Sequence, residues 1–372
     1  MSTNETSRAR SSYADLMKGM LMFSVVACHC AICMNWMSEP HLGFIPYIMS
    51  AWDMPLFMAI SGYFFFYSAS KRTVRELLSN KLLCILLPCV IWGACMSVLE
   101  TLTGTHAVNE ATGYFALLRY HWFLWSICIC ITLCLIPDRL RRISPLGAHT
   151  AALLMCIGLH LLPNDILPYN NYNAAYMFPF FYAGYVTSQY KLTSRVRPWF
   201  VIVCCVALAS MQGMAAKGCF ADSSVWTSGT SLFGPQGFTR HLQLTIFRMV
   251  QAFAGCVSLA ALLWYAYRWM RGRGISRVLP VRMAKHFLVR VGEFSLAVYV
   301  IHSIVVMVFF QHWMNVLKNS GDLAGAMGLP CSVPLYKWVL LPLASVAVTM
   351  VCFGVIYMIP KKTTLSRILL GK

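Results

Sequence analysis

Residues 15–34 read DLMKGMLMFSVVACHCAICM. An acid and a base stand three residues apart at its head, and the apolar run that follows carries one ionisable side chain, His29. A bilayer-spanning helix needs about 20 such residues at 1.5 Å each. An imidazole inside a span is costly, and ionisable groups placed there usually face a cavity or a partner within the helix bundle. Reading this stretch as a span sets the class of the whole chain.

The remaining sequence agrees with that class. Of 372 residues, 59% are hydrophobic and 11% charged, and the mean hydropathy is +0.64. Soluble domains have about half apolar and a quarter charged residues, so an all-α, polytopic membrane protein is expected. Ten stretches qualify as spans: 16–36, 44–67, 82–101, 120–136, 147–163, 173–189, 198–214, 242–268, 291–313 and 336–359. The net charge of +18 would suggest nucleic acid in a soluble protein. Here the basic residues gather in alternate connections: Arg8 to Lys18, Lys71 to Lys81, Arg139 to Arg142, Lys191 to Arg197, Arg268 to Arg290 and Lys361 to Lys372. Only Arg119, Lys217, Arg240, Arg248, Lys318 and Lys337 fall elsewhere. That bias puts both termini in the cytoplasm and makes the charge a topology signal, with no nucleic-acid partner expected. Residues 1–15 become a short cytoplasmic segment. Arg8 and Arg10 before the first span resemble a signal peptide, but no small-residue cleavage site follows, so an uncleaved span is expected. No internal repeat or low-complexity segment stands out, and 1–372 reads as one domain.

Sixteen cysteines invite a disulfide framework, yet all but Cys219 and Cys331 lie in apolar runs, where free cysteine behaves as a small hydrophobe. Those two fall in outer connections, where a disulfide between them stays open. Cys28-His29-Cys30 with Cys33 resembles a metal motif. On a helix only His29 and Cys33 share a face, and two ligands do not make a zinc site, so no metal is expected.

Several polar residues have two readings each. His29 lies about 16 Å along the helix from Lys18, near mid-bilayer. Asp53, about 10 Å below a second-helix start near Pro46, is then at nearly the same depth. The pair is either a catalytic base with an orienting carboxylate or a structural link between helices. Asp15 and Lys18 form an interfacial ion pair or the mouth of a path for an anionic cytosolic ligand. His302, about 18 Å in from Arg290, lines the same cavity or is a packed histidine. Arg248 snorkels outward or binds an anion or oxyanion. His121 and Trp122 belong to an aromatic belt or to a site. The seven basic residues between 268 and 290 serve orientation and lipid headgroups, or a phosphate-rich substrate. Pro168 to Asn173 suits a carbohydrate contact or a simple turn.

Five blocks in order resemble the acyltransferase 3 family of integral membrane acyltransferases, in particular its sugar O-acetylases. They are Asp15-Leu-Met-Lys18 followed after ten residues by His29, MPLFMAISGYFF from Met54, HWFLWS from His121, FPFFYAGY from Phe178 and EFSLAVYVIH ending at His302. The resemblance implies a multi-pass enzyme of the inner (cytoplasmic) membrane with no bound cofactor. It would move an acyl group, usually acetyl from acetyl-CoA, to a hydroxyl of a cell-surface glycan or its lipid-linked precursor. His29 matches the family's essential histidine and Lys18 its basic partner. Two positions depart from the pattern: Asp53 stands where many members have histidine, and Lys18 where many have arginine, whose bidentate fork lysine lacks. The implied partners are acyl-CoA, the sugar acceptor and membrane lipids, with a homo-oligomer left open. A transporter or flippase for lipid-linked sugars is the alternative, with His29, Asp53 and His302 as a proton relay; it lacks the broken-helix, repeated-half pattern of such proteins.

Overall fold

The computed structural model describes residues 3–33, 49–103, 121–162, 171–216, 232, 237–274, 278–312, 336–360 and 363–371. Regular structure among them is helical throughout. In chain order the helices are α1 (Thr3–Cys33), α2 (Asp53–Ala69), α3 (Leu83–Thr103), α4 (Trp122–Leu140), α5 (Pro145–Leu161) and α6 (Asn171–Gln189). They continue with α7 (Pro198–Ala216), α8 (Phe238–Gly272), α9 (Leu279–Glu293), α10 (Ser295–Ile304), α11 (Leu341–Met358) and α12 (Thr364–Leu370). Each of the ten expected stretches carries a helix. Among the described residues, six segments are by themselves long and apolar enough to cross a membrane, and up to seven if α9 and α10, bent by 85°, count as one span.

Helix ends follow side-chain chemistry. Ser144 accepts from the Gly147 N–H at 3.0 Å ahead of Pro145, and Thr73 and Glu76 form a reciprocal capping box that opens the approach to α3. Such caps satisfy the orphan N–H groups of a first turn. A π-helical turn, Val305–Phe310, extends α10.

Two expectations shift. A turn at residues 51–52 separates the helical residues 49–50 from the helix that starts at Asp53, and Pro46 lies outside the described residues. Asp53 Oδ1 accepts from the Met54 N–H at 2.6 Å, and an acid with a nearby proline suits a helix N-terminus. The basic connection before the ninth span also contains a helix, α9, which puts Phe287, Leu288 and Val291 on the side that packs and Arg282 and Arg290 on the exposed side. Cys219, Cys331 and Pro168 to Asn170 lie outside the described residues.

The chain forms two compact units. The first holds residues 1–49, 90–120 and 263–372, the second 50–89 and 121–262. In the second, α2 and α6 cross so closely that a Cβ on Gly62 would overlap the Phe181 carbonyl, and one on Gly184 the Ala59 carbonyl. Each glycine faces the carbonyl three residues before the other, the reciprocal pattern of two helices running in the same direction. Phe65 packs there against Phe181 and Tyr185, with ring centroids 5.5 and 6.2 Å apart. The first unit uses the same device on α1 and α9: Gly19 faces the Leu288 carbonyl and Gly292 the Asp15 carbonyl.

Candidate active site

The glycine crossing sets the register of the first unit. Gly19 lies opposite Gly292 of α9, and beyond the 85° bend His29 meets His302 of α10, their rings 5.1 Å apart at a tilt of 58°. His302 is buried, 1% exposed. Its Nδ1 lies 2.6 Å from the Tyr299 carbonyl and 3.2 Å from that of Val298. Carbonyls only accept, so the neutral ring carries its proton on Nδ1 and a lone pair on Nε2, a tautomer assigned from this network. The Nδ1 of His29 is shut off from solvent and has no hydrogen-bond partner among the described residues. A buried polar atom left in that state is costly unless something else meets it.

Beside the Gly19 crossing, Lys18 Nζ donates to Asp15 Oδ1 at 2.7 Å, both side chains partly exposed. Around this end the first unit is basic and aromatic: Lys285 lies 5.2 Å from the Tyr267 ring, and Tyr13 packs against Tyr267 and Trp264. Lys18 therefore stands at a cationic end and His29 three turns further along the same helix.

The other expected residues belong to the second unit. Asp53 is buried at the start of α2. Arg248 is buried on α8 with its guanidinium 5.7 Å from the Tyr176 ring, while the Tyr176 hydroxyl donates to the Arg248 carbonyl at 3.1 Å. Further along α8, Gly255 approaches the Ala51 carbonyl. His121 is buried at the head of α4, its carbonyl accepting from the Leu124 and Trp125 N–H groups, and Trp122 packs on Phe123 at 5.9 Å.

Sequence reasoning passed over Tyr176, although the aromatic run of α6 marked it, and over Asp138. That carboxylate is 3% exposed and accepts from Tyr185 at 2.7 Å and from Arg141 at 2.9 Å. The acid and arginine three residues apart were legible; the tyrosine from α6 was not. This network ties α4 to α6.

The acyltransferase domain that defines the acyltransferase 3 family matches residues 11–358. The chain belongs to that family. Its several apolar helices agree with a multi-pass membrane protein of that family. A nodulation protein, NolL, of Sinorhizobium fredii (strain NBRC 101917 / NGR234) is 24% identical over 181 residues, which cover 47% of this chain and 48% of that protein. The match thus spans about half the length of this curated relative. No solved structure matches. Of the expected blocks, the one at His121 opens α4, the one at Phe178 lies in α6, and His29 of the first-helix block meets His302 of the ninth-helix block.

Proposed function

We propose that the protein transfers an acyl group, most simply acetyl from acetyl-CoA, to a hydroxyl of a cell-surface glycan or its lipid-linked precursor, from the inner membrane, with ten spans and both termini cytoplasmic. The observation that carries this reading is the imidazole pair of His29 and His302 on a helix whose other end presents Lys18 among basic side chains. CoA phosphates dock at the Lys18 end, where lysine acts as a point charge.

The chemistry follows from the tautomers. The acceptor hydroxyl gives its proton to His29 as its oxygen attacks the thioester carbonyl. The tetrahedral intermediate expels the CoA thiolate, which takes the proton back from the imidazolium, leaving an ester and free CoA. His302, with Nδ1–H held by backbone carbonyls, has only a lone pair to offer when neutral. It suits orienting an N–H of His29 and not donating to an oxyanion. Asp53, His121 and Trp122 stay candidates for substrate contact in the second unit.

General-base catalysis contributes about 10² to 10⁴ in rate. His29→Ala in purified, lipid-reconstituted protein is expected to cut transfer of labelled acetyl by at least that factor while the thermal transition is retained. Near-native transfer by the variant would overturn the mechanism. Label trapped on the wild-type enzyme without acceptor would identify His29 as an acyl carrier instead. Binding of CoA by the solubilised protein separates the enzyme from a flippase, which has no need of it.

A further inference from the structure

A cavity of about 640 Å³ lies within the first unit, walled by α3, α10 with its π-helical turn, and α11. Ligand sites run from about 300 to 1,000 Å³, and closely packed interiors leave few voids larger than a water molecule. Ala344 and Ala347 hollow the α11 wall, Trp92 and Leu99 line the α3 wall, and Ile301 and Phe309 line the third. The one strong donor among these side chains is engaged: Trp92 Nε1–H donates to the Leu369 carbonyl at 2.8 Å. The cavity is thus apolar throughout. Its rim includes Phe309, 58% exposed, and Val351, 52% exposed, so it opens sideways from helices that pass through hydrocarbon. From Ala344 to Val355 the α11 wall runs for about 16 Å, roughly half the hydrocarbon thickness of a bilayer.

The α10 wall is also the helix that carries His302. Ile301 and Ile304 face the cavity on either side of the imidazole that meets His29. A water-soluble acceptor would need polar partners here and finds none; a hydrocarbon chain needs none and enters from the bilayer. The sideways opening also separates this chamber from the Lys18 end, where a soluble donor would arrive.

We infer that this groove seats the hydrocarbon tail of the acceptor, which is therefore a membrane-borne, lipid-linked sugar, and holds its head group beside the helix of His302. The inference rests on the acyl-transfer reading for its chemistry but not for its binding test. The probe is a polyprenyl-phosphate-linked monosaccharide with a diazirine in its tail, photolysed with the full-length protein in lipid nanodiscs. Cross-links are expected on the peptides of Trp92 to Leu99 and Ala344 to Val355, displaced by unlabelled probe but not by a tenfold excess of phospholipid. Ala347→Phe and, separately, Val351→Trp are expected to cut labelling at least tenfold. Equal displacement by phospholipid, or undiminished labelling of both variants, would overturn the inference by making the groove an ordinary lipid contact. Labelling as expected without any acyl transfer would instead remove the enzymatic reading and leave the tail site. Transfer to a tail-less sugar as fast as to the tailed one, with the groove unlabelled, would do the reverse.

Discussion

At the scale of residues, His302 is the most constrained group near His29, since two backbone carbonyls hold its Nδ1. A positioning role makes a distinct prediction from a packing role. His302→Phe keeps the volume and loses the lone pair, and is expected to lower kcat about 10- to 100-fold while KM for acetyl-CoA changes less than twofold. His302→Gln, which keeps an acceptor, is expected to recover part of the loss. Equal activity in both variants would leave His302 a packing residue. Lys18 predicts the opposite split: Lys18→Gln removes the cation that meets phosphate and is expected to raise KM for acetyl-CoA about tenfold with kcat little changed, measured by steady-state kinetics in reconstituted vesicles. His29 and His302 were both legible, because an imidazole in an apolar run is conspicuous. Their meeting was not, since 273 positions separate them and nothing local says which helices pair. The expected depth of Asp53 assumed an unbroken helix from Pro46; a turn at residues 51–52 interrupts the helix just before Asp53, and Pro46 lies outside the described residues.

At the scale of elements, two glycine crossings set the registers that matter, and glycine in an apolar run gives no such signal by itself. Close approach lets Cα–H groups meet carbonyls, worth about 0.5–1 kcal/mol each, and a side chain there must push backbone away. Gly62→Ala and Gly184→Ala are expected to destabilise the protein by about 1–3 kcal/mol, the cost of overpacking, read as a lowered unfolding transition in detergent. Gly158, where an added Cβ meets nothing within 4 Å, is the control: Gly158→Ala is expected to be neutral within about 0.5 kcal/mol. Similar losses at all three sites would show that the close crossing does not govern these positions, since alanine has the higher helix propensity. The helix α9 escaped the sequence reading for a physical reason. Its charges recur every few residues and lower the average hydropathy, although Phe287 and Leu288 pack on α1 through Phe23 and Gly19.

At the scale of the whole molecule, helix direction decides how many segments cross the membrane. In the first unit α1 and α10 with its π-helical turn run the same way, as the pairs His29 with His302 and Cys33 with Val306 require. Two spans that run the same way are separated by an odd number of crossings. Length and apolarity alone leave four between them, starting at Val74, Trp122, Pro198 and Phe238, an even number that would make α1 and α10 antiparallel. Counting α2, α5 and α6 as spans restores an odd number. In the second unit α2 and α6 also run the same way, and between them the length test supplies only two crossings, so α5 is the span that must be added. At 17 residues Pro145–Leu161 is short, about 25 Å of helix, which a modest thinning of the bilayer accommodates. The decisive measurement is a pair of reporter fusions, one within Arg139 to Arg142 and one just after Leu162. The first is expected to report from the cytoplasm and the second from the outside. If both reported from the cytoplasm, α5 would not cross, the ten-span count would fall, and the parallel pairing of α2 and α6 would have to be reached by some other odd crossing between them.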